Sequence, residues 1–408
     1  MSAAGVVVVG AGLGAIRLAE NLRTNGYDGP ITLIGAEPYA PYDRPPLSKT
    51  VLLGKDDRVE LKPAEFYTES SITLRLGQRV TAVDPQAATV TVRADDTDGP
   101  DTDDTESVPY DVLVLATGLA PRAFPGAEHL AGVHTLRTFD DAVALRSEID
   151  GAQTAVVIGA GFIGCEVAAS LTERGVRVSL VEPAPTPLAQ ALGEPIGTLV
   201  ARMHTANGVD VRAGIGVSEI VGDDSGAVRA VRLADGTELP ADIVVVGIGS
   251  IPVTDYLEGS GIEFAPRETG GGIACDGVGK TSAPHVYAIG DVANWADGSP
   301  AARRVEHWNH TVEQAAVVAH QIAGSEGAPI TAAVPYFWSD QFAVKIQALG
   351  HPRADDEVHI VADDDGTKFL AYYSRDGILT GVVGAGKAGP VMKTRPKLQT
   401  PTPVADLL

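Results

Sequence analysis

Short apolar runs that end at glycine recur along this chain, and they predict buried strands. Val6–Val9 is four valines with no polar residue among them, which is typical of a strand buried on both faces. Glycines follow at once and force a tight turn, after which the mixed pattern of residues 16–23 predicts a helix. Residues 31–34 form the next apolar run and predict a second strand. Strand, turn, helix and strand in this order indicate an α/β nucleotide-binding unit.

The turn after the first strand has the spacing G-x-G-x-x-A. Gly10 permits the turn, Gly12 lets a backbone approach a pyrophosphate, and Ala15 keeps the helix and the strand close. The helix N-terminus offers N–H groups and the positive end of a dipole to an anion. A carboxylate beyond the second strand can bind the two hydroxyls of an adenosine ribose. The pattern predicts a dinucleotide site; a glycine-rich turn in an ordinary α/β domain is the alternative. The residues assigned to this site are Gly10, Gly12, Leu13, Gly14, Ala15 and Glu37.

The same arrangement occurs again near the middle of the chain. An apolar run is followed by Gly159, Gly161 and Gly164 in the full spacing G-x-G-x-x-G. A second strand is predicted over residues 176–181, and Glu182 stands at its end. Two complete patterns imply two dinucleotides. Since a hydride has to pass between two cofactors, FAD and a nicotinamide nucleotide (NAD) are the expected pair.

The segment after the first unit's second strand is rich in proline. Four prolines within residues 38–49 predict a rigid, extended connection that leaves the carboxyl end of a strand. Such a connection can hold side chains over a cofactor, with Arg44 paired to a phosphate and Lys49 facing an isoalloxazine ring. A solvent-facing loop with ordinary surface charges is the alternative.

Further strands are predicted on both sides of the second glycine pattern. Residues 80–83 and 89–92 read as a pair of strands, and the buried strand over residues 111–116 ends in a turn of small residues. Such a turn indicates close approach of the backbone to a ligand. A strand over residues 242–246 is expected to carry the chain back towards the first unit.

The last third of the chain combines one more short strand, a helix and aromatic-rich strands. The strand over residues 286–289 is followed by Asp291, which can accept hydrogen bonds from the ribityl hydroxyls of a flavin or cap the helix expected next. A long helix is predicted over residues 311–323, with Trp308 at its start, where it can lie beside a flavin. From about residue 330 the aromatic-rich strands predict a third, smaller α+β domain.

The composition limits which binding partners and which cellular compartment are expected. The 408 residues carry 31 basic and 53 acidic side chains, a net charge of −22, so nucleic acid and anionic membrane surfaces are not expected as partners. Two cysteines do not make a disulfide framework and fit a reducing cytoplasm. The start of the chain does not resemble a signal peptide, and no apolar run approaches the length of a membrane span.

Much of the acidic excess lies within residues 95–106, together with Gly99 and Pro100. We expect a solvated hairpin loop there rather than a metal site, because the segment lacks the spacing of a calcium-binding loop. No metal site is predicted anywhere in the chain.

Seven motifs follow one another in an order that resembles a known family, over nearly the whole chain. The motifs are PYDRPPLSK (41–49), ATGLAPR (116–122), GAGFIGCEVA (159–168), VVVGIG (244–249), YAIGDVA (287–293), EHWNHTVEQA (306–315) and YFWSDQF (336–342). They resemble the FAD-dependent NADH:ferredoxin reductases of oxygenase systems. That family includes the putidaredoxin reductase type and the reductase components of aromatic-ring dioxygenases, and apoptosis-inducing factor is a relative.

The resemblance implies an α/β protein of glutathione-reductase-like architecture. Two Rossmann-like dinucleotide-binding domains are expected, with a C-terminal α+β domain at the flavin. The FAD domain is split in sequence, and the NAD domain is inserted into it. The predicted parts are residues 1–120 and 244–328 for the FAD domain, 121–243 for the NAD domain and 329–408 for the C-terminal domain.

The resemblance also assigns individual residues. Lys49 and Glu166 correspond to a lysine–glutamate pair near the flavin N5 in such proteins, and they are the candidate catalytic residues. The FAD set comprises Gly12, Gly14, Glu37, Arg44, Lys49, Val80, Arg137, Asp291 and Trp308. The NAD set comprises Gly161, Phe162, Ile163, Glu166, Glu182 and Gly249. The matched motifs also contain Ala116, Thr117, Gly118, Arg122 and His307, which complete the predicted cofactor-binding residues.

The number and positions of the cysteines argue against electron transfer through a redox-active thiol. Disulfide reductases of this superfamily need a closely spaced cysteine pair beside the flavin, and other members use one cysteine in the loop after Glu37; this chain has neither. We interpret Cys165 as a small core residue, although relatives often have leucine there. Without a redox thiol, electrons from NADH have to leave the flavin directly. The expected acceptor is a [2Fe–2S] ferredoxin that feeds a cytochrome monooxygenase or a Rieske-type dioxygenase.

Three other classes of function stay open at this point. A partner-independent NADH oxidase or diaphorase needs no ferredoxin, and a flavoprotein like apoptosis-inducing factor turns over slowly. A quinone reductase needs a membrane-binding C-terminal helix, which is not visible in the sequence. Relatives often continue into a further helix beyond the position of Lys397, which leaves the partner-facing surface open. A monomer or a weak homodimer is expected.

Basic residues mark the predicted docking surface for ferredoxin, which is usually acidic. A protein of net charge −22 repels such a partner, and charges beyond roughly 8–10 Å are screened at physiological salt, so docking requires a local positive patch. Trp308 is expected at the centre of that surface, together with the aromatic residues 336–338. Its predicted rim consists of Arg303, Arg304, Lys387, Lys393, Arg395 and Lys397.

Overall fold

The computed structural model describes residues 5–94, 105–296, 304–325, 334–364 and 368–408. Contacts between residues divide the chain into two compact units, each made of three separate stretches. The first unit comprises Met1–Asp43, Val59–Ala120 and Ile251–Ala332, and the second comprises Arg44–Arg58, Pro121–Ser250 and Ala333–Leu408. The domain boundaries expected at residues 120, 243 and 328 stay predictions.

A five-stranded parallel sheet forms the centre of the first unit. Val6–Val9 is its middle strand, and alternate valines enter two separate apolar clusters, one on each face of the sheet. This burial on both faces is what an unbroken run of valines predicts. Val6 pairs in register with Ile31 on one side and with Val112 on the other. In spatial order the strands are Val286–Ala288, Val112–Leu115, Val6–Val9, Ile31–Gly35 and Ile72–Leu76.

Helices cover one face of this sheet and a second, antiparallel sheet covers the other. Helix Leu13–Thr24 packs closely on helix Trp308–Ala323, because Gly14 leaves room for the methyl group of Thr311. The antiparallel sheet consists of Gln78–Asp84, Thr89–Ala94 and Thr105–Pro109. The remaining elements are helix Ala64–Glu69, strands Ile273–Cys275 and Ala293–Trp295, and the 3-10 turns Asp255–Leu257, Arg267–Thr269 and Gly290–Val292. Two short strands, Leu119–Pro121 and Ser250–Pro252, lie where the chain passes from one unit to the next.

The second unit contains a parallel sheet of the same kind. Helix Phe139–Ile149 begins at a capping box, in which Thr138 Oγ1 accepts from the Asp141 N–H and the Asp141 carboxylate accepts from the Thr138 N–H. In spatial order the strands are Asp210–Ala213, Arg177–Glu182, Thr154–Ile158, Ile243–Val246 and Val133–His134. The other helices are Phe162–Glu173 and Ala189–Ala206, and an antiparallel sheet adds Val217–Gly222, Val228–Leu233 and Glu238–Pro240.

The C-terminal stretch of the second unit is a five-stranded antiparallel sheet with one helix. The buried Tyr373 hydroxyl donates to the carbonyl oxygen of Leu192 at 2.7 Å, which ties this sheet to helix Ala189–Ala206. In spatial order the strands are Tyr336–Gln341, Val344–Gly350, Ile378–Ala385, Lys368–Arg375 and Glu357–Asp364. Helix Ala388–Thr394 and the 3-10 turns Arg395–Leu398 and Val404–Asp406 follow. The predicted α/β fold, with two parallel nucleotide-type sheets and a C-terminal sheet domain, is confirmed.

Two predictions of local structure are wrong. The proline-rich connection is not extended throughout, because Pro45–Ser48 forms a 3-10 helix with prolines at its first two positions. No α-helix follows Asp291 directly, since the 3-10 turn Gly290–Val292 leads into the strand Ala293–Trp295.

The acidic hairpin loop predicted within residues 95–106 lies mostly outside the described residues. Of its acids, Glu106 is described, and it lies in the strand Thr105–Pro109. Among the helices of the described ranges, none is long and apolar enough to cross a membrane.

Candidate functional site

The first glycine turn forms a cradle with an open front. Gly10 has φ of +106°, and a Cβ there would collide with the carbonyl oxygen of Ala116. A Cβ on Gly12 would meet nothing within 4 Å, so space remains in front of the helix that follows. Helix Leu13–Thr24 has neither a side-chain cap nor an acidic residue in its first turn, which leaves its first N–H groups available to an anion. These features fit a pyrophosphate.

Two further residues of this pattern serve the packing of the helix. Ala15 is fully buried against the sheet, and Gly14 faces Thr311 and Ile289 at distances that leave little room for a Cβ. The small side chains therefore bring the helix N-terminus close to the carboxyl end of the first strand, where a ligand of parallel sheets binds.

The second glycine turn repeats this geometry. Gly159 has φ of +97°, and a Cβ there would collide with the carbonyl oxygen of Gly247. A Cβ on Gly161 would meet nothing within 4 Å, and one on Gly164 would overlap the turn itself. Helix Phe162–Glu173 again lacks a side-chain cap and a first-turn acid. The second cradle therefore fits a second dinucleotide by the same physical criteria.

Each cradle has a carboxylate after its second strand. Glu37 accepts a hydrogen bond from the Tyr42 hydroxyl. Glu182 accepts from the Ala160 N–H at 2.8 Å and from the Ala184 N–H at 2.9 Å, so it holds the glycine turn as well as presenting a negative charge there. Ile163, the second residue of helix Phe162–Glu173, is 48% exposed.

Two other predicted cofactor residues, Thr117 and Gly118, follow the carboxyl end of strand Val112–Leu115, and Val80 lies within strand Gln78–Asp84. Thr117 Oγ1 donates to the carbonyl oxygen of Val253 at 2.8 Å, and the Val253 N–H donates to the carbonyl oxygen of Gly118. Val80 is buried in the apolar cluster of the antiparallel sheet, so its main chain is the part that can face a ligand.

In the second unit the structure brings four predicted residues together in two pairs. Arg44 Nη1 donates to the carbonyl oxygen of Arg137 at 2.5 Å, across 93 positions of sequence. The Arg122 N–H donates to the carbonyl oxygen of Gly249 at 3.0 Å. Both pairs join segments that the sequence separates widely.

Trp308 has polar and charged neighbours in the first unit. Its Nε1 donates to Asp43 Oδ1 at 3.0 Å, and the Arg17 guanidinium lies 5.7 Å from the ring centroid. His307 is the N-cap residue of the helix that Trp308 begins. The carbonyl oxygen of Asp291 accepts from Arg304 Nη1 at 2.7 Å, and Asp291 is half-buried in the 3-10 turn Gly290–Val292.

Arg304 does not belong to the rim of a docking surface, which corrects one prediction. Its side chain is 7% exposed and bonds to the carbonyl oxygens of Gly270 and Asp291 and to Glu306, 2.8 Å away. Arg303 lies outside the described residues. Lys387 pairs with Asp364 at 2.8 Å and is part-buried, whereas Lys393 and Lys397 are exposed and Arg395 is half-buried.

The two candidate catalytic residues meet in the second unit. Lys49 Nζ lies 2.8 Å from Glu166 Oε2 and donates to the carbonyl oxygen of Pro45 at 3.0 Å. Glu166 is 2% exposed, on the buried face of helix Phe162–Glu173, and 15% of the Lys49 side chain is exposed. The 3-10 helix at the end of the proline-rich segment therefore delivers the ammonium group to a buried carboxylate, 117 positions away in sequence.

Three more groups hold Glu166, and sequence reasoning did not single them out. Ser48 Oγ donates to Oε2 at 2.5 Å, Ser339 Oγ donates to Oε1 at 2.7 Å, and the Asp340 N–H reaches Oε1 at 3.3 Å. Ser48, Ser339 and Asp340 stand inside two motifs of the resemblance, PYDRPPLSK and YFWSDQF. A search of those motifs for hydroxyl donors would have found both serines.

Both cysteines are free and buried. Cys165 is fully buried on the helix of the second cradle, as predicted, and burial together with the Glu166 charge raises the pKa of its thiol well above the usual value. Burial also raises the pKa of Cys275, to about 12. A thiol of such pKa is not a thiolate at neutral pH, so neither cysteine is poised for disulfide exchange. Within the described ranges, no cluster of His, Cys, Asp and Glu side chains could hold a metal ion.

Two open glycine cradles and a buried lysine–glutamate pair fit a flavin-type oxidoreductase with two nucleotide cofactors. Over residues 4–315 the sequence matches the family "Pyridine nucleotide-disulphide oxidoreductase", and over residues 336–406 it matches "Reductase C-terminal". The chain belongs to this oxidoreductase family, whose ferredoxin reductases use FAD and NAD(H).

Several similar proteins are ferredoxin reductases. A ferredoxin–NAD(P)+ reductase of a Sphingomonas species is 38% identical over 91% of this chain and 87% of the relative. The ferredoxin reductase for the CYP199A2 system of Rhodopseudomonas palustris has 31% identity and a TM-score of 0.89, covering 98% of this chain and 96% of that one. The putidaredoxin reductase in a covalent complex with putidaredoxin has 30% identity and a TM-score of 0.90, covering 99% and 95%.

Proposed function

We propose that this protein is an FAD-containing oxidoreductase that takes electrons from NADH and passes them singly to a [2Fe–2S] ferredoxin of an oxygenase system. The observation that carries the proposal is the Lys49–Glu166 ion pair, buried in a chain that also has two open dinucleotide cradles. The relatives support it, because they are ferredoxin reductases and this chain matches them over most of their length.

Bound FAD would supply the chemistry that joins a two-electron donor to a one-electron acceptor. The chain's residues prepare the site for it. Gly12 and the N–H groups of helix Leu13–Thr24 would hold its pyrophosphate, and Glu37 would hold its adenosine ribose. Lys49 would place a positive charge where negative charge develops on reduction, and Glu166 fixes the position of that ammonium group.

NAD(H) would occupy the second cradle in the same way. Gly161 leaves space for its pyrophosphate, and Glu182 stands where the adenosine ribose is expected. The Glu182 charge would repel a 2′-phosphate, and no arginine occurs in residues 183–188 to offset that repulsion. We therefore infer that NADH is preferred to NADPH.

The partner, the compartment and the assembly belong to the same proposal. We infer a ferredoxin as the protein partner, with neither nucleic acid nor a membrane surface, because a net charge of −22 disfavours both. Free, buried cysteines fit the cytoplasm. We further infer a monomer or a weak homodimer.

Stopped-flow kinetics test the proposed function directly. The flavin-loaded protein is mixed with NADH while flavin absorbance is followed, and a [2Fe–2S] ferredoxin such as putidaredoxin is then titrated in. We expect rapid flavin reduction followed by ferredoxin reduction that saturates with ferredoxin concentration. NADH consumption that depends on oxygen and ignores ferredoxin would identify an oxidase or diaphorase. Slow turnover with a persistent long-wavelength absorption band would identify a flavoprotein of the apoptosis-inducing-factor kind.

A further inference from the structure

Three buried side chains continue the hydrogen-bonded cluster beyond Glu166. Ser339 Oγ lies 2.7 Å from Glu166 Oε1, Gln341 Nε2 lies 3.1 Å from Ser339 Oγ, and His204 Nε2 lies 3.0 Å from Gln341 Oε1. Ser339, Gln341 and His204 are each 0% exposed. Ser339 and Gln341 share one face of the strand Tyr336–Gln341, since side chains two positions apart point the same way. His204 reaches them from the last turn of helix Ala189–Ala206.

The chemistry of the Glu166 carboxylate fixes the direction of every hydrogen bond in this cluster. An ionised Glu166 can only accept, so Ser339 donates its hydroxyl proton to it. Ser339 can then accept the Gln341 amide N–H, which turns the Gln341 carbonyl oxygen towards His204. That oxygen is an acceptor, so His204 carries its proton on Nε2. All three groups donate towards Glu166.

His204 is held in one protonation state by its surroundings. Its Nδ1 is buried and makes no hydrogen bond, so a second proton there would be an unsatisfied buried donor. The Phe342 ring meets the imidazole edge to face at 5.2 Å, and burial lowers the pKa of His204 below its usual value. The imidazole is therefore a fixed neutral donor rather than a titrating group near pH 7.

We propose that Ser339, Gln341 and His204 are positioning residues, which hold the Glu166 carboxylate and, through it, the Lys49 ammonium group in one geometry. This inference rests on the proposed function, in which Lys49 faces the reacting flavin. Positioning by a chain of donors differs from simple burial of polar groups, because loss of a distant member loosens the carboxylate without removing any contact to it.

A matched pair of glutamine variants separates positioning from a structural role. Gln341→Met removes the amide while keeping the length of the side chain. Gln347→Met is the control: Gln347 is also buried, on the neighbouring strand Val344–Gly350, where it donates to the Tyr336 hydroxyl at 2.8 Å. Gln341→Met loses two buried hydrogen bonds and Gln347→Met loses one, so we expect both variants to lose thermal stability, Gln341→Met somewhat more.

The expected difference lies in the flavin. Gln341→Met should slow flavin reduction by NADH about tenfold with little change in the KM for NADH, and it should lower the midpoint potential of the flavin. Gln347→Met should leave the rate and the potential unchanged. Equal rates and potentials in both variants and the parent would overturn the inference, even in a protein that reduces ferredoxin normally. Failure of the parent to reduce ferredoxin, with normal flavin reduction, would instead refute the proposed function alone.

Nitrogen-15 NMR of histidine-labelled protein tests the donor-to-acceptor direction of these hydrogen bonds without any variant of Gln341. The His204 signal is identified by its loss in His204→Phe, which keeps a ring against Phe342. We expect the neutral tautomer with the proton on Nε2 from about pH 5.5 to 8. A proton on Nδ1, or ordinary titration near pH 6.5, would show that the donors do not point towards Glu166 and would overturn the inference.

Discussion

At the scale of single residues, Glu166 shows how a buried carboxylate is supplied with hydrogen-bond donors. Removing a carboxylate from water costs several kcal/mol unless donors replace the water. Glu166 has four such donors, from Lys49, Ser48, Ser339 and the Asp340 main chain. The Ser48 carbonyl oxygen is itself fixed by Ser170 Oγ at 2.7 Å. The ion pair is therefore one part of a rigid arrangement rather than a chance surface contact.

Lys49→Ala should leave the protein folded but slow its reduction by NADH. Three donors to Glu166 remain, so we expect a loss of about 1–3 kcal/mol in the free energy of unfolding. Flavin reduction should slow at least tenfold, or the flavin potential should fall, because the positive charge beside the flavin is lost. Stopped-flow reduction and a spectroscopic redox titration measure the two effects.

Lys55→Ala is the control for this variant. Its side chain is 63% exposed and lies 3.8 Å from Glu173, so its removal should change stability by no more than about 0.5 kcal/mol and the reduction rate not at all. A Lys49→Ala protein with the parent's rate and potential would show that Lys49 is an ordinary loop residue.

Glu182→Gln should weaken the preference for NADH. The amide keeps one oxygen to accept a main-chain N–H of the turn but loses the charge that repels a 2′-phosphate. We expect the ratio of kcat/KM for NADH to that for NADPH to fall by about ten- to a hundredfold. Glu173→Gln makes the same charge change at the end of helix Phe162–Glu173 that lies away from the cradle, and it should leave the ratio unchanged. A parent enzyme whose kcat/KM for NADPH equals or exceeds that for NADH would contradict the assignment of Glu182.

Residues with a fixed spacing could be predicted, whereas residues that meet only through the fold could not. Gly10, Gly12, Gly159 and Gly161 have the conformation or the open space that their spacing required. His204 joins the Glu166 cluster through Gln341, 137 positions further along, and no periodicity in the sequence links them. Pairings across such distances depend on how a helix meets a sheet, which local patterns do not encode.

At the scale of elements, each of the two cradles has one glycine that the fold requires and one that the ligand requires. Gly159→Ala should destabilise the protein by about 1–3 kcal/mol, because φ is +97° and the Cβ collides with Gly247. Gly161→Ala should change stability by about 0.5 kcal/mol or less, since its Cβ meets nothing. It should nevertheless raise the KM for NADH on the order of tenfold, because the methyl group occupies space expected for the pyrophosphate.

Thermal unfolding and steady-state kinetics of these two variants make the comparison. Each variant serves as the control for the other, since both add one methyl group to the same turn. An unchanged KM in Gly161→Ala would place the dinucleotide elsewhere.

Elements buried on both faces were predictable because their apolar runs are continuous. The strands Val6–Val9 and Ile243–Val246 fall within a residue of their expected bounds. Helix Phe139–Ile149 was missed although Thr138 and Asp141 form its capping box, because its apolar periodicity is weak. The antiparallel strands between Val217 and Pro240 carry charged residues on their open faces, so their sequence pattern is difficult to distinguish from that of loops.

At the scale of the whole molecule, the charge of −22 makes the exposed basic residues of the C-terminal segment important. Helix Ala388–Thr394 and the turn after it present Lys393, Arg395 and Lys397, while Val391 anchors the helix in the core. The segment is regular helical structure and not an irregular tail. A fixed positive surface on an acidic protein favours an acidic partner there.

Reversing these charges should slow the association with ferredoxin. We expect Arg395→Glu, or Lys393→Glu with Lys397→Glu, to lower the association rate about tenfold at low salt and to flatten its salt dependence. Lys280→Glu, which changes the charge as much as Arg395→Glu does but at an exposed site of the first unit, should have a much smaller effect. Stopped-flow measurements over a salt series provide the rates.

Trp308→Ala tests the expected centre of the docking surface. It should slow electron transfer to ferredoxin more than reduction by NADH, since the large indole is replaced while the nucleotide cradles stay intact. If the tryptophan variant and the charge variants all pass electrons at the parent's rate across the salt series, ferredoxin docks elsewhere.

The order of the strands also governs how this protein is made on the ribosome. Val112–Leu115 receives its outer neighbour, Val286–Ala288, after about 170 further residues have been synthesised, and helix Trp308–Ala323 emerges later still. At ~5–20 residues per second this interval is roughly 10–35 s. Throughout it, the nascent N-terminal segment exposes an unpaired strand edge and an apolar face. Production in cells should therefore depend on chaperone supply, and truncated translation products that stop before residue 286 should aggregate.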